Sequence, residues 1–458
     1  MIKFGTDGWR AIIGFEFNKD NVVKVAKAHA KALKKHNLNK VIVGYDHRFL
    51  GEKFAILVAN VMKTEGIEAD VVKEAVSTPN ISFAVKYMGY NQGVMITASH
   101  NPYYYNGYKI KESFGGAATP EFINEVEDEI KNIKDVDFKE YNIKRVDITS
   151  QYIEKTLSNI NKNILLEKEL NIVHDSMYGP SFKYYLEAFQ DKKLNLFSIR
   201  HYKDALFGEG APEPVEKNLS ILKDKVKTVK ANLGIANDGD GDRIALVDEN
   251  GEFVNSQLVY ILLMLHIVKN KGIRNGVVVK TVSTSFLVDR ICKDFGIEVE
   301  ETPVGFKYIN EIVLKKDVIF GGEESGGYGF PFFLPERDGF LSGLFIIEMM
   351  LLEDKPLSAI IKDIFNKYGE AYYNRLDLKV EEHIKDRLKN LIKNPPNALE
   401  DIKVQKVNTK DGLKLIFEDD SWVMLRASGT EPLIRIYAEA TSKDLLNTLL
   451  LKAQKLVS

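Results

Sequence analysis

The chain reads as a multidomain α/β protein. Three tandem domains of similar topology are followed by a smaller α+β domain. Two observations carry this reading. The first is a strand–loop–helix unit that occurs three times: strand 40–45, loop 46–51 and helix 52–63; then 170–174, 175–180 and 181–189; then 276–280, 281–285 and 286–295. Such units pair their strands in parallel and cover the sheet with helices. Gly66-Ile-Glu and Gly296-Ile-Glu follow their helices alike, and repeats this far apart mark domains, not a solenoid. The second is length: 458 residues correspond to three or four domains.

In order, residues 1–18 hold the turn Phe4-Gly-Thr-Asp-Gly-Trp-Arg10. Val22, Val25, Ala26, Ala28 and Leu33 recur at helical spacing, so a helix is expected over 21–36. A strand over 66–72 closes the first unit. Boundary signals are weak: the polar stretch 142–150, a hairpin at 248–254 and the segment 368–374. The tail reads as an amphipathic helix over 380–393, Pro395-Pro396, strands at 414–417, 422–425 and 434–439, and a helix over 443–456.

Apolar content of 45% and charged content of 28% suit a soluble globular chain. A net charge of −2 offers no broad field for nucleic acid or membrane. The lone Cys292 makes an intramolecular disulfide impossible. The longest apolar run, 258–268, is too short to span a bilayer, and the first residues lack a signal-peptide core. A cytoplasmic protein is the expectation.

Asn237-Asp-Gly-Asp-Gly-Asp-Arg243 is the strongest chemical signal. Asp238, Asp240 and Asp242 alternate with glycines that let the backbone curl until the carboxylates converge. Converging carboxylates need a cation, and all-oxygen ligands favour Mg²⁺, Mn²⁺ or Ca²⁺. An EF-hand fits less well: Arg243 takes the position of the required Gly, and the flanks read as strands. Arg243 behind the carboxylates suggests a bound anion such as phosphate.

Val94-Met-Ile-Thr-Ala-Ser99-His-Asn-Pro102 is an apolar strand ending in a polar loop, where parallel sheets place function. Ser99 is a candidate nucleophile or phosphate carrier; an Asx/ST turn before Pro102 explains the local sequence equally well. His100 is a poor partner, because adjacent side chains diverge. Lys109 and Lys307 are either ordinary surface lysines or cations aimed into the site. Gly322-Glu323-Glu-Ser325 follows a strand; it is either a mobile turn or a loop whose acceptors suit sugar hydroxyls. The run 334–340 reads as a structural loop leading into helix 341–352. Arg426-Ala-Ser428-Gly429-Thr430-Glu-Pro-Leu-Ile-Arg435 combines cations, hydroxyls and a glycine turn, as a phosphate cradle does.

Together these stretches resemble the α-D-phosphohexomutase superfamily of phosphoglucomutases and phosphomannomutases over nearly the whole chain. The matching motifs are Gly5-Thr-Asp-Gly-Trp-Arg10, Thr97-Ala-Ser99-His-Asn-Pro, Asn106-Gly-Tyr-Lys109, Asp238-Gly-Asp-Gly-Asp-Arg243, Gly322-Glu-Glu-Ser-Gly and Arg426-Ala-Ser-Gly-Thr-Glu-Pro. The resemblance implies four domains around a central cleft, placed at 1–147, 148–252, 253–367 and 368–458. It implies an intramolecular phosphotransferase that interconverts hexose 1-phosphate and hexose 6-phosphate. Ser99 would carry the phosphoryl group, and a hexose 1,6-bisphosphate would be intermediate and activator. Mg²⁺ would be held by Asp238, Asp240, Asp242 and phosphorylated Ser99. Arg10, Lys109, Arg243 and Lys307 would line the reacting groups, with Lys109 a base if neighbouring positive charge depressed its pKa. Gly322, Glu323 and Ser325 would bind the sugar; Arg426, Ser428, Gly429, Thr430 and Arg435 would bind the distal phosphate.

Glucose is the expected sugar, with mannose also turned over. Gly327 stands where many relatives have His, which should leave a looser edge to the sugar loop. Other readings are a phosphoglucosamine or phosphopentose mutase and a catalytically inactive sugar-phosphate-binding protein. Expected partners are small hexose phosphates, with neither nucleic acid nor membrane, in a monomer or homodimer.

Overall fold

The computed structural model describes residues 2–428 and 433–457. Its first three sheets repeat one pattern. In the first, strand Lys40–Tyr45 lies between parallel neighbours Glu68–Val72 and Gln92–Ile96, and Tyr105–Lys111 runs antiparallel to the latter. Trp9–Ile12 and Arg145–Val146 extend its two edges. In the second, Leu170–Asp175 lies between Leu194–Ile199 and Leu233–Asn237, and Ile244–Val247 runs antiparallel. In the third, Val277–Thr281 lies between Val299–Thr302 and Val318–Gly322, and Tyr328–Phe330 runs antiparallel. The tandem repeat expected from the sequence is therefore present.

Apolar burial explains the layers. Helix Lys19–Lys35 buries Val22, Val25, Ala26 and Leu33 against the first sheet. Helix Gly339–Glu353 is apolar nearly all round and fills the core shared by the second and third sheets. Asp338 caps it, accepting from the Leu341 amide at 2.9 Å. Helix Thr78–Tyr87 of the first unit packs on strand Leu334–Arg337 of the third. Among the described residues, no helix is long and apolar enough to cross a membrane.

The fourth sheet is antiparallel, with Tyr372–Lys379, Leu433–Ala440, Trp422–Ala427, Leu413–Ile416 and Lys406–Asn408 in that spatial order. Helices Glu382–Lys393 and Lys443–Leu456 cover one face. The other face sends Trp422, Met424 and Tyr437 into the core of the third unit.

Three strands differ from the sequence expectation. Tyr105–Lys111 lies in a stretch given no strand in the sequence reading, yet it is a strand that buries Asn106, Lys109 and Lys111 completely. Leu334–Arg337, read as a structural loop, is a strand that buries Glu336 and Arg337. Tyr372–Lys379 begins within the segment read as a break. In the first two, charged residues sit on buried faces because they serve one another, which hides the apolar alternation of a strand.

Candidate active site

The three stretches richest in chemistry occupy one topological position. In each of the first three sheets, the turn between the outer parallel strand and its antiparallel successor carries them: 97–104, 238–243 and 323–327. These turns touch. Gly239 lies against the Ser99 carbonyl, where an added Cβ would stand 2.7 Å away. The Ile244 amide donates to Gly326 O at 2.9 Å.

Ser99 is buried and left-handed, with φ of +52°. A non-glycine residue held there is strained, and such strain persists only where the surroundings enforce it. The Thr97 hydroxyl accepts from the Ser99 amide at 2.9 Å and donates to Asp46 at 2.5 Å. Buried Arg48 donates to four carbonyls of this loop: Ser99 at 2.6 Å, Asn101 at 2.8 Å, and Pro102 and Tyr105 at 3.0 Å. Ser99 Oγ donates to Asp238 at 2.8 Å. His100 Nδ1 lies 3.5 Å from Oγ, too far for a strong bond, and burial followed by Arg243 and Arg10 holds its imidazole neutral.

The aspartates converge through a turn, not an extended strand. Gly241, at φ +69°, donates from its amide to Asp238 O at 3.0 Å. Ligand oxygens of Asp238, Asp240 and Asp242 lie within 4.8 Å of one another, all buried. Among the described residues, Oδ1 of Asp240 and of Asp242 has no hydrogen-bond partner. Burial, then Asp240 and Asp242, push the Asp238 carboxyl well above its usual pKa. Like charges this close cannot all ionise alone, and a hard divalent cation relieves both the crowding and the orphaned oxygens. The donor set fits such an ion.

Lys109 and Arg337 border the triad. Lys109 Nζ lies 2.8 Å from Asp240, 3.2 Å from Asp242 and 2.7 Å from Asp7. Burial opposes its charge, but these carboxylates outweigh it and raise the pKa. The condition for Lys109 as a base, a pKa depressed by positive neighbours, is not met. Arg337 reaches Asp242 at 2.7 Å, Asp7 at 2.5 Å and Glu323 at 3.5 Å. Lys111 bonds Glu336 and lies 3.5 Å from Asp7. Thr78 donates to Asp240 at 2.5 Å.

Other predicted residues fall nearby. Arg10 Nη1 donates to Asn101 at 2.8 Å, which places it on the serine loop. The Arg243 amide donates to Asp238 at 3.0 Å, and its guanidinium stands 3.9 Å from Asp242. Gly322 ends its strand, and Ser325 Oγ is buried with no partner among the described residues. Burial pushes the Glu323 carboxyl up to about 7 against the pull of Arg337. Lys307 lies farther out, lining a small cavity with Gly5, Thr6 and Asp7 and resting over the Tyr308 ring. The edge at Gly327 is not loose. An added Cβ there would meet Arg337 Cδ at 2.3 Å, so Arg337 fills the space a histidine would need.

Arg426 and Arg435 are directly opposite on adjacent strands of the fourth sheet. Arg426 Nε donates to Asp411 Oδ2 at 2.8 Å, which also accepts from the Val304 amide at 2.9 Å. The buried Ser428 follows, its amide donating to Leu433 O at 2.9 Å. Gly429 and Thr430 lie outside the described residues.

Sequence reasoning missed Asp7, Asp46, Arg48, Lys111, Glu336 and Arg337. Asp7 stood inside a motif where Arg10 alone was singled out. Glu336 and Arg337 were visible as charges interrupting an apolar stretch.

Comparison with known proteins gives one consistent answer. Family models described as phosphoglucomutase/phosphomannomutase alpha/beta/alpha domains I, II and III match residues 1–137, 150–251 and 255–368. The model of the C-terminal domain matches 382–453. A Thermococcus kodakarensis relative named phosphoglucomutase/phosphomannomutase is 32% identical, over 96% of this chain and 95% of its own. A Sulfurisphaera tokodaii relative named phosphoglucosamine/phosphogalactosamine mutase is 32% identical, over 99% and 98%. A solved Thermus thermophilus structure carrying the phosphomannomutase name superposes with a TM-score of 0.89 at 32% identity, covering 100% of this chain and 99% of that one.

Proposed function

The chain belongs to the phosphoglucomutase/phosphomannomutase family, and on that premise we propose that it interconverts hexose 1-phosphate and hexose 6-phosphate with Ser99 as phosphoryl carrier. The family makes it an enzyme, a phosphotransferase mutase acting on sugar phosphates. The roles of individual residues are our reading. The observation that carries it is a buried, strained Ser99 whose Oγ donates at 2.8 Å to Asp238, one of three converging carboxylates.

In the first half-reaction, a sugar hydroxyl oxygen forms a bond to the phosphorus on Ser99 as the phosphorus–Oγ bond breaks. One proton passes from the sugar hydroxyl to Oγ, so nothing else is consumed. The bisphosphate then turns over, and Oγ takes the other phosphoryl group with the reverse proton movement. Asp238, Asp240 and Asp242 would hold Mg²⁺, with an oxygen on Ser99; the ion supplies charge neutralisation and orientation to the phosphoryl group. Lys109, held as an ammonium, and the guanidinium groups of Arg10 and Arg243 neutralise and position. Burial excludes water, which protects the carrier from hydrolysis. Glu323 and Ser325 bind sugar hydroxyls, and Gly322 shapes their turn. Lys307 meets substrate from the rim. Arg426, Ser428, Gly429, Thr430 and Arg435 hold the phosphate that is not reacting.

Among hexoses we assign glucose as the preferred substrate, with mannose also turned over, on the acceptors of Glu323-Glu324-Ser325. A second reading, glucosamine phosphate, is favoured by the mutase name of the Sulfurisphaera tokodaii relative. Rates with glucose, mannose and glucosamine 1-phosphates, measured side by side, decide between them. We place the unit boundaries after residues 147, 252 and 367, and the protein in the cytoplasm as a monomer or homodimer.

A further inference from the structure

The fourth sheet carries another arginine that its phosphate-binding motif does not contain. Strand Tyr372–Lys379 pairs antiparallel with Leu433–Ala440, setting Arg375 opposite Tyr437 and Asp377 opposite Arg435. Directly paired residues point to the same face of a sheet. Tyr372, Leu376 and Leu378 pack on the helix-covered side. Tyr373 packs on the core shared with the third unit. Arg375 therefore stands on the face of Tyr437, Arg426 and Arg435, one step beyond the residues buried against the third unit. Glu439 on this face accepts from the Phe286 amide at 2.8 Å, and Glu324 of the sugar loop accepts from the nearby Ser283 hydroxyl at 2.7 Å, so the face packs on the segment that holds that loop.

The side chain is prepared to bind an anion. Arg375 Nε lies 3.1 Å from Asp377 Oδ1, and Nη2 donates to Oδ2 at 3.2 Å. That two-point contact fixes the guanidinium plane and uses one edge. Among the described residues, Nη1 has no partner, and the side chain keeps 40% of its exposure. We infer that Arg375 is a third cation of the distal cradle, binding the non-reacting phosphate of the sugar through its free edge while Asp377 sets its orientation. The inference rests on the cradle reading of Arg426 and Arg435. It supplies a cation from a strand that the motif at 426–435 does not include.

The test uses the full-length enzyme with Arg375→Ala, Arg375→Lys and Arg426→Ala. It measures inorganic phosphate binding by calorimetry, KM and kcat for hexose 1-phosphate, and the thermal midpoint. Arg375→Ala should weaken phosphate binding and raise KM about 5- to 50-fold, the range of one charge-assisted contact. The kcat and thermal midpoint should stay near wild type. Arg375→Lys should recover part of the loss, since a point charge replaces a planar fork. If Arg375→Ala leaves phosphate affinity and KM unchanged while Arg426→Ala weakens both, Arg375 is not in the cradle. Were neither variant to change them, the cradle reading itself would fall. A drop in kcat and thermal midpoint with phosphate binding intact would mean a structural role and overturn the inference.

Discussion

The serine–aspartate centre and the arginine cradle are built in opposite ways. The centre draws on three sheets and is closed. Ser99, Lys109, Asp238, Asp240 and Asp242 are all buried, and Arg337, Lys109 and Thr78 tie the loops of different sheets together. The cradle sits on one sheet, with Arg426 and Arg375 partly exposed. It reaches the rest of the molecule through contacts such as Asp411 to Val304 and Glu439 to Phe286. Phosphoryl transfer needs fixed, dry geometry. Holding the far end of a sugar that must turn over needs charge with less confinement. It follows that damage at the centre should strike the chemical step, whereas damage at the cradle should strike binding.

Three substitutions probe this contrast, beginning with the most damaging. Ser99→Ala should lower kcat by on the order of 10⁴-fold or more, as loss of a nucleophile does; near-normal turnover would end the distinction. Asp240→Asn should lower Mg²⁺ affinity and kcat by more than the roughly 10–100-fold typical when a ligand's hydrogen-bond partner is lost. Metal titration after chelation measures it. Arg426→Ala should raise KM and release bisphosphate, at a cost of about 1.5–3 kcal/mol in binding, with the chemical step preserved. An equal loss in single-turnover rate would make the cradle part of the centre.

Specificity should move least. Glucose 1-phosphate should exceed mannose 1-phosphate by about tenfold in kcat/KM, which is about 1.4 kcal/mol. Arg337 fills the volume beside Gly327, so Gly327→His should disturb Arg337 and lower activity on every sugar.

A pH measurement probes the helix cap that follows Arg337 through stability. Burial raises the Asp338 carboxyl to about 6 from an ordinary 3.8, against the pull of the Leu341 amide and Tyr152. The folded chain thus holds this proton where the unfolded chain has lost it. Its contribution is destabilising as pH rises from about 4 through 6, by roughly 3 kcal/mol at the upper end. Denaturant titrations of Asp338→Asn against wild type should show that slope removed.

Much of the centre was legible because its chemistry is contiguous in sequence. The alternating Asp238–Asp242 stood out alone, whereas the loop at Ser99 and the turn at Glu323–Ser325 had equally good structural readings and gained meaning only beside the other motifs. The structure adds that they share one topological position. Residues that work across the fold were hidden. Arg337 acts through Asp7 and Asp242, which are distant in sequence, and Arg48 through carbonyls that carry no residue identity. Lys109 and Lys111 hid a strand because their burial depends on carboxylates elsewhere. The looser edge expected at Gly327 failed for the same reason: its neighbour in space is Arg337.

The most direct test of Ser99 as phosphoryl carrier is peptide-resolved mass spectrometry of the enzyme charged with glucose 1,6-bisphosphate, before and after adding excess glucose 1-phosphate. The account predicts one phosphoryl group on Ser99 that is discharged to the sugar within turnover time, and none on Ser99→Ala. Active enzyme that never carries phosphate at Ser99, or carries it there without discharging it, would contradict the account.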